Sequence, residues 1–458
     1  MTTLEEEVSK PELTLDELGE DCLFEILNRL PAKNLYAMAD TCTQFLSLAS
    51  IQYRRLHPEK YIRVSIVDEK IEVTPNEHDV KKFGWKFLNL IICGEGRHFR
   101  WNDGSLNCIL SDCSKNLQMI RFEKAMLNGL HLNVLKMMCS RTETIVLHEC
   151  GINDDIYDCL LNACHNLKQL IISDSYTIID PEYGSKWMQQ KYPLLTCVQI
   201  CSMTLLPFQS RHWEQFFRQN PQIQSFACDH WYSIDRNDRP IKVIKENAPN
   251  LSRLYISLRG IGHLNGTYYD LNELCKSEHL KDLELQFTGT TGMQYLMRHS
   301  KILGTMERLS TLHLSNIILS KEFVPAITAL TKLKRLNFVS TTFTTEVAEF
   351  LSKGLPNLEE VYCDVLNDIT SFVIHAPNLR KIELTNTEMA ELHLGWGLLF
   401  LDQERTKIHN ACPIIIYIKR ISEENNENPM LSSGLITIKP IPQDKRILSK
   451  VENTFLNV

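Results

Sequence analysis

Apolar residues recur in one fixed spacing through the middle of the chain. An apolar residue is followed by two variable positions, a second apolar residue, one variable position and a third. Eleven copies run from Leu117/Ile120/Phe122 to Leu379/Ile382/Leu384, spaced 21 to 29 residues apart. The copy Thr142-x-x-Ile145-x-Leu147-x-x-Cys150-x-Ile152 alternates over its first residues, which predicts a short strand. Ile156, Leu160 and Cys164 then recur at four-residue steps, one face of a helix. Proline recurs just before the next strand, as in Asn220-Pro221, Ala248-Pro249-Asn250, Leu355-Pro356-Asn357 and Ala376-Pro377-Asn378. It ends each helix and pushes the preceding residue toward extended geometry. Each copy is therefore a strand, a turn and a helix that can bury its apolar face only against its neighbours. The predicted fold is an α/β solenoid, a horseshoe with parallel strands on the concave side and helices on the convex side. Phe87/Leu90/Ile92 and Pro413/Ile416/Ile418 extend it at the two ends, giving a solenoid over 85–420; the middle copies are long and carry Trp187, Trp213 and Trp231 outside the core positions.

A different spacing precedes the array. Leu23, Ile26, Leu27 and Leu30 mark a helix that Pro31 ends. Leu35, Met38, Ala39, Cys42 and Phe45 mark a second helix, and a further turn follows through Leu48. Three short helices over 13–50 form a weak core. They are expected to leave an apolar patch free for a partner. Residues 1–12 read as a disordered N-terminus, 51–84 as a linker and N-terminal cap, and 421–458 as a C-terminal cap or tail. The polar run Glu423–Pro429 within that tail reads as a solvated loop.

Composition narrows the partner. The 458 residues carry a net charge of −7 and no clustered Lys/Arg stripe, so no nucleic-acid ligand is expected. The longest apolar runs fall far short of a membrane span, and the acidic start does not read as a secretory signal. Of the fifteen cysteines, Cys150, Cys164, Cys228 and Cys363 fall on predicted core positions. They read as reduced apolar fillers, which points to the cytoplasm or nucleus.

No catalytic, metal or cofactor constellation emerges. In His148-Glu149-Cys150 the cysteine sits on a core position and the histidine on a strand. Cys159 and Cys164-His165 lack a second ligand pair, Cys197–Cys201 has no redox spacing, and Gly94-Glu-Gly96 lacks a third glycine. The positions that point away from the core are the third and fifth of each copy. From the sixth copy onward these become large and polar. Arg253, Tyr255, His313, Arg335 and Tyr362 are the expected anchors for a bound protein.

The repeat resembles the cysteine-containing leucine-rich repeat over roughly 115–390. The N-terminal module resembles an F-box. It carries Leu18, Glu20-Asp21, Leu23, Glu25-Ile26, the corner Leu30-Pro31, Leu35 and Cys42. It departs from that pattern at Gly19, where the family has proline, and at Phe45, where it has tryptophan. Together the two resemblances imply the substrate-receptor subunit of a Skp–cullin–F-box ubiquitin ligase. In that family the F-box docks on a Skp-type adaptor, which binds the cullin scaffold and its RING subunit. The repeats hold a protein substrate for ubiquitination and proteasomal degradation, with rate arising from proximity rather than from residues of the receptor. The resemblance implies adaptor contacts at Leu18, Leu23, Ile26, Leu27, Leu30, Pro31 and Leu35. The alternative is a non-degradative scaffold, or an enzyme inhibitor, in which the N-terminal helices only cap the array.

Overall fold

The computed structural model describes residues 18–56, 61–67, 70–84, 87–94, 116–127, 132–173, 176–178, 186–201, 210–228, 240–258, 271–275, 277–287, 300–364, 369–388, 394–420 and 433–441. The stretches 1–17, 421–432 and 442–458, and with them most of the expected N-terminus and tail, lie outside these residues, as does Trp231.

The chain begins with α1 (Glu20–Asn28), α2 (Ala32–Ala39) and α3 (Thr43–Leu56). The predicted second helix is thus two. Asp40 closes α2 and a new helix starts at Thr43, so Phe45 and Leu48 belong to α3. An antiparallel hairpin follows, β1 (Ile62–Val67) and β2 (Lys70–Thr74), and then α4 (Glu77–Phe83). Asn76 caps α4 by accepting from the Asp79 amide at 3.1 Å. The described residues of the stretch expected as linker and cap thus form the end of α3, a hairpin and α4. β1 pairs in parallel with β3 (Asn89–Cys93), so the hairpin closes the N-terminal end of the sheet.

The repeats then supply β4 (Met119–Glu123), β5 (Met126–Leu127), β6 (Thr144–His148), β7 (Gly151–Asn153), β8 (Gln169–Ser173), β9 (Tyr176–Ile178), β10 (Cys197–Cys201), β11 (Ser225–Cys228) and β12 (Arg253–Leu258). They continue with β13 (Asp282–Phe287), β14 (Thr311–Ser315), β15 (Ile318–Leu319), β16 (Arg335–Val339), β17 (Thr342–Phe343), β18 (Glu360–Cys363), β19 (Lys381–Glu388), β20 (Ile414–Arg420) and β21 (Ile436–Pro440). Sixteen strands form one sheet, parallel throughout except for the β1–β2 hairpin. The short strands β5, β7 and β9, and β15 with β17, pair separately. Every strand of the eleven copies begins at the third position of its triplet, in register with its neighbours. β21, inside the expected tail, pairs with β20 and adds a last strand.

Local chemistry explains how each strand ends. Lys124, Glu149, Asn316 and Ser340, each just past its strand, adopt φ between 50° and 58°. This left-handed step turns the chain toward the convex side, and the residue after it is buried: Ala125, Cys150, Ile317 and Thr341. Thr341 Oγ1 donates to Leu314 O of the preceding copy at 2.9 Å, and Cys150 Sγ to Phe122 O at 3.4 Å. A small donor at this position satisfies a buried carbonyl left over by the turn. At the other end of the unit, the asparagine that follows three of these prolines clamps successive turns. Asn250, Asn357 and Asn378 donate to Pro221 O, Thr331 O and Pro356 O at 3.0, 2.8 and 2.8 Å.

One hydrophobic cluster runs from Leu23 in α1 to Ile438 in β21. In the middle copies it is aromatic. Trp187 and Trp213, which the spacing placed outside the core, are buried; Trp187 packs on Phe216, and Trp213 on Phe216, Phe217 and Phe226. These copies are long, and the extra residues carry large rings into the space between strand and convex layer. Near the C-terminal end, Arg405 is fully buried in the helix Leu394–Thr406. It donates to the carbonyls of Val373, Ala376, Pro377, Leu379 and Cys412 at 2.7 to 3.1 Å. Those bonds collect the open carbonyls at the end of the helix Ile369–His375.

Candidate functional sites on the N-terminal helices and the concave sheet

The three N-terminal helices sort the expected adaptor residues by burial. Leu23 and Leu27, four apart on α1, and Leu35 on α2 point into the small core with Ala39, Phe45, Leu48 and Ala49. Side chains almost wholly enclosed offer no surface to a partner, so Leu23, Leu27 and Leu35 leave the adaptor-facing set. Ile26 is 36% exposed, Pro31 is exposed, and Leu18 and Leu30 are half-buried against the core. Phe24, absent from the sequence-based set, is half-buried beneath the Arg55 guanidinium, 5.1 Å from its ring centroid. Gly19 at the start of α1 (φ −60°, ψ 153°) offers no side-chain cap, while Pro31 pre-sets the first turn of α2 at φ −63°.

The module is pinned to the solenoid on its opposite side. Tyr53 of α3 donates to Asp79 of α4 and stacks on Phe83 at 4.6 Å, and Tyr36 packs on the same ring at 5.1 Å. Lys82 of α4 donates to Tyr36 O at 3.0 Å and pairs with Asp40 at 2.6 Å. Burial raises both the Tyr53 hydroxyl and the Asp79 carboxyl above their ordinary values. α3 thus serves as a cap on the first coil, while α1 and the α1–α2 corner keep a free apolar edge.

On the concave face the five expected anchors fall in two register columns. The third position runs Arg253, Asp282, Thr311, Arg335, Glu360, Lys381; the fifth runs Tyr255, Glu284, His313, Asn337, Tyr362, Glu383. Opposite charges meet across neighbouring strands at two places and within β19 at a third. Arg253 pairs with Asp282 at 3.3 Å, Arg335 with Glu360 at 3.2 Å and Lys381 with Glu383 at 2.8 Å. Tyr362 donates to Glu360 at 2.7 Å and accepts from Lys381 at 3.0 Å, with the ammonium 4.5 Å from its ring centroid. Burial pushes the Tyr362 hydroxyl up to about 12. Burial draws the Lys381 ammonium down, but the bonds to Glu383 and Tyr362 outweigh it and the net shift is upward. His313 Nδ1 lies 3.1 Å from Glu284 Oε1. Burial raises the Glu284 carboxyl, against the pull of His313. Tyr255, an expected anchor, is itself mostly enclosed and donates to Gln286.

The N-terminal strands differ from expectation. Their fifth-position residues Ile91, Val146, Ile171, Gln199 and Ala227 face away from the main core yet are buried. Ala227 packs with Tyr255 and Cys201 in a small concave cluster. The more accessible part of the concave face therefore lies toward β14–β18, where Arg335 is exposed and Thr311, His313, Asn337 and Tyr362 are half-buried. The outward columns expected from the spacing stopped at the third and fifth positions and left out the seventh, where His148 already reads as a strand residue. Ser257, Gln286 and Ser315 continue the pleat there in register. The alternation i, i+2 past the last apolar residue is the signal that marks them.

His148, Ser173 and Glu149 make a contact chain, with His148 Nδ1 3.0 Å from Ser173 Oγ and Nε2 3.3 Å from Glu149 Oε1. Ser173 is buried, with no room for a carbonyl to approach. The thiols of Cys93 and Cys150 are each raised to about 12 by burial, the opposite of an activated nucleophile. Among the described residues no group of His, Cys, Asp and Glu has the arrangement of a metal site, and no helix is long and apolar enough to cross a membrane.

Residues 15–57 match the F-box domain model. No curated protein matches the sequence. Solved structures similar to the chain include an internalin from Listeria monocytogenes, at 12% identity and TM-score 0.38 over 89% of this chain and 93% of that one. A leucine-rich repeat protein from Leptospira interrogans aligns at 14% identity and TM-score 0.36, over 82% of this chain and 90% of the other. A leucine-rich repeat-containing protein from Legionella pneumophila aligns at 13% and 0.40, over 70% and 98%. The solenoid assignment rests on the repeat geometry itself, on the left-handed turn and buried donor that recur after its strands, and on the unbroken register of its sheet. The chain thus carries a segment that matches the F-box domain ahead of an α/β solenoid with the leucine-rich-repeat fold.

Proposed function

We propose that this protein is the substrate-recognition subunit of a Skp–cullin–F-box ubiquitin ligase. The F-box binds the Skp-type adaptor, and through it the cullin and RING subunits. The polar part of the concave face, β12–β20, binds a protein destined for ubiquitination and degradation. The chain itself is non-catalytic, and its free thiols suit the reducing cytoplasm or nucleus. The observation that carries the reading is the split of the F-box surface. One side, Tyr36, Asp40 and Tyr53, is committed to α4 at the start of the solenoid. The other keeps Ile26 and Pro31 free, with Leu18 and Leu30 half-exposed. A rigid attachment would hold the captured protein at a fixed offset from the adaptor, which raises its effective concentration at the conjugating enzyme.

Co-purification tests it. Full-length protein is expected to recover the adaptor and cullin, and Ile26→Ala with Pro31→Ala to lose at least tenfold of that recovery without a change in melting temperature. Equal recovery by the folded double variant would leave the helices as a cap only. That second reading draws on the same Tyr53–Asp79 and Lys82–Asp40 contacts.

A further inference from the structure

The C-terminal end of the concave face carries two tyrosines held by one lysine. The fifth-position column runs Tyr362, Glu383, Tyr417, Lys439 across β18, β19, β20 and β21. The Lys381 ammonium sits between the two rings, 4.5 Å from the Tyr362 centroid and 5.2 Å from that of Tyr417. It pairs with Glu383 at 2.8 Å and donates to the Tyr362 hydroxyl at 3.0 Å. One cation therefore steadies two rings that stand two strands, about 10 Å, apart. Tyr362, Lys381, Glu383 and Tyr417 are half-buried and Lys439 is exposed, so the patch is open to solvent.

The groups left over decide the ligand. Both carboxylates beside the rings are already met: Glu383 by Lys381, and Glu360 by Arg335 at 3.2 Å and by the Tyr362 hydroxyl at 2.7 Å. Among the described residues, neither the Tyr417 hydroxyl nor the Lys439 ammonium has a hydrogen-bond or ion-pair partner. The two residues are register partners on one face, about 5 Å apart across the strands. Arg335, Lys381 and Lys439 stand against Glu360 and Glu383, which leaves positive charge in excess. A carboxylate brings two acceptor oxygens, one for the ammonium and one for the phenol. A cationic side chain would find no free carboxylate there. The ring faces beside these donors suit an apolar neighbour of that carboxylate, because rigid tyrosines lose little entropy on contact.

We propose that Tyr417 and Lys439 form a subsite for a Glu or Asp side chain of the captured protein, with the Tyr362 and Tyr417 rings packing against the residue next to it. The proposal rests on the concave face being the capture surface, and names the chemistry taken up at its C-terminal end.

The test uses immobilised full-length protein and random nonapeptide pools with one fixed central residue: Glu, Asp, phosphoserine, Gln or Lys. Glu- and Asp-centred pools are expected to be retained at least fivefold over Gln- and Lys-centred pools. Lys439→Glu is expected to lose that preference and Tyr417→Phe to cut it at least twofold, each with an unchanged melting temperature. An acidic preference that survives Lys439→Glu, or one untouched by Tyr417→Phe, overturns the subsite. So does a wild-type preference for Gln or Lys, and stronger retention of phosphoserine- than of Glu-centred pools overturns its carboxylate assignment. Retention that is indifferent to the central residue but lost in Arg335→Glu also overturns the subsite, and leaves the concave capture surface standing. Retention of no pool by the wild type, or retention unchanged in every variant, overturns the capture surface and the subsite together.

Discussion

In the N-terminal half of the sheet the fifth strand position is apolar and buried at Ile91, Val146, Ile171 and Ala227, with Arg121 and Gln199 as the polar exceptions. In the C-terminal half the same position holds Tyr255, Glu284, His313, Asn337 and Tyr362, tied into a lattice of ion pairs and unpaired polar atoms. The backbone register is the same in both halves. The difference therefore lies in the side chains and in what covers them, not in the backbone register, and one parallel sheet provides both a closed wall and a polar floor. Two acids make the contrast sharper. Glu123, on β4, is met by Arg63 at 3.1 Å, Arg121 at 2.7 Å and the Cys93 thiol at 3.0 Å. Burial raises its carboxyl, but the thiol and the two guanidinium groups outweigh that and hold it below its ordinary value. Glu284 is more deeply buried with only His313 opposite, and its carboxyl goes up.

The comparison can be broken most strongly by placing the same charge in each half. Val146→Asp puts an unpaired carboxylate where the wall is closed, and is expected to cost about 3 kcal/mol or more. Asn337→Asp places it on a half-buried part of the polar floor beside His313, where the imidazole can meet it, and is expected to cost less, about 1 kcal/mol. Urea unfolding of the two variants measures both, and similar losses would mean that the two halves are equally enclosed.

The acids give a smaller effect with opposite signs. For Glu123, whose folded value lies below its ordinary one, stabilisation is present above about pH 4.5 and is lost as pH falls through the depressed value. Glu123→Gln is therefore expected to lose about 1 kcal/mol at pH 7, since the arginines are partly solvated, and nothing in strong acid. For Glu284, whose folded value is raised, the favourable state is the protonated one, present below about pH 4.5 and lost as pH rises through the raised value. Glu284→Gln is expected to melt at or above the wild type at pH 7.5, with the gap closing on acidification. Melting curves across pH 4–8 check the pair, and a Glu284→Gln gap that widens toward acid would reverse the assignment.

The smallest expected effect is at the rim. Lys334 and Glu359 pair at 2.8 Å with both side chains well exposed. Lys334→Ala is expected to change stability by less than about 0.5 kcal/mol. A drop above 1 kcal/mol on thermal unfolding would show that the outer rim also carries load.

The strands were legible because their signal is local. Leu117/Ile120/Phe122 and its successors alternate within six residues, and alternation of that kind depends only on the pleat. The cysteine at 150 was legible for the same reason, as a core position a fixed distance from its triplet. The F-box stripe was legible as a helix, but not as a surface. Leu23, Ile26, Leu27 and Leu30 look alike in sequence, and only the position of α3 encloses Leu23 and Leu27 while leaving Ile26 at the edge. Trp187 and Trp213 were misplaced because they depart from the repeat period, and the space they fill exists only once neighbouring coils stack.

The period of apolar residues, by itself, determined a solenoid, the register of its strands and a separate helical module ahead of it, since each follows from contacts within or between adjacent units. Which outward positions are closed over, which polar atoms are left unpaired and which edge of the F-box remains free were decided by tertiary structure. Burial at those places depends on residues tens or hundreds of positions away, which no local spacing encodes.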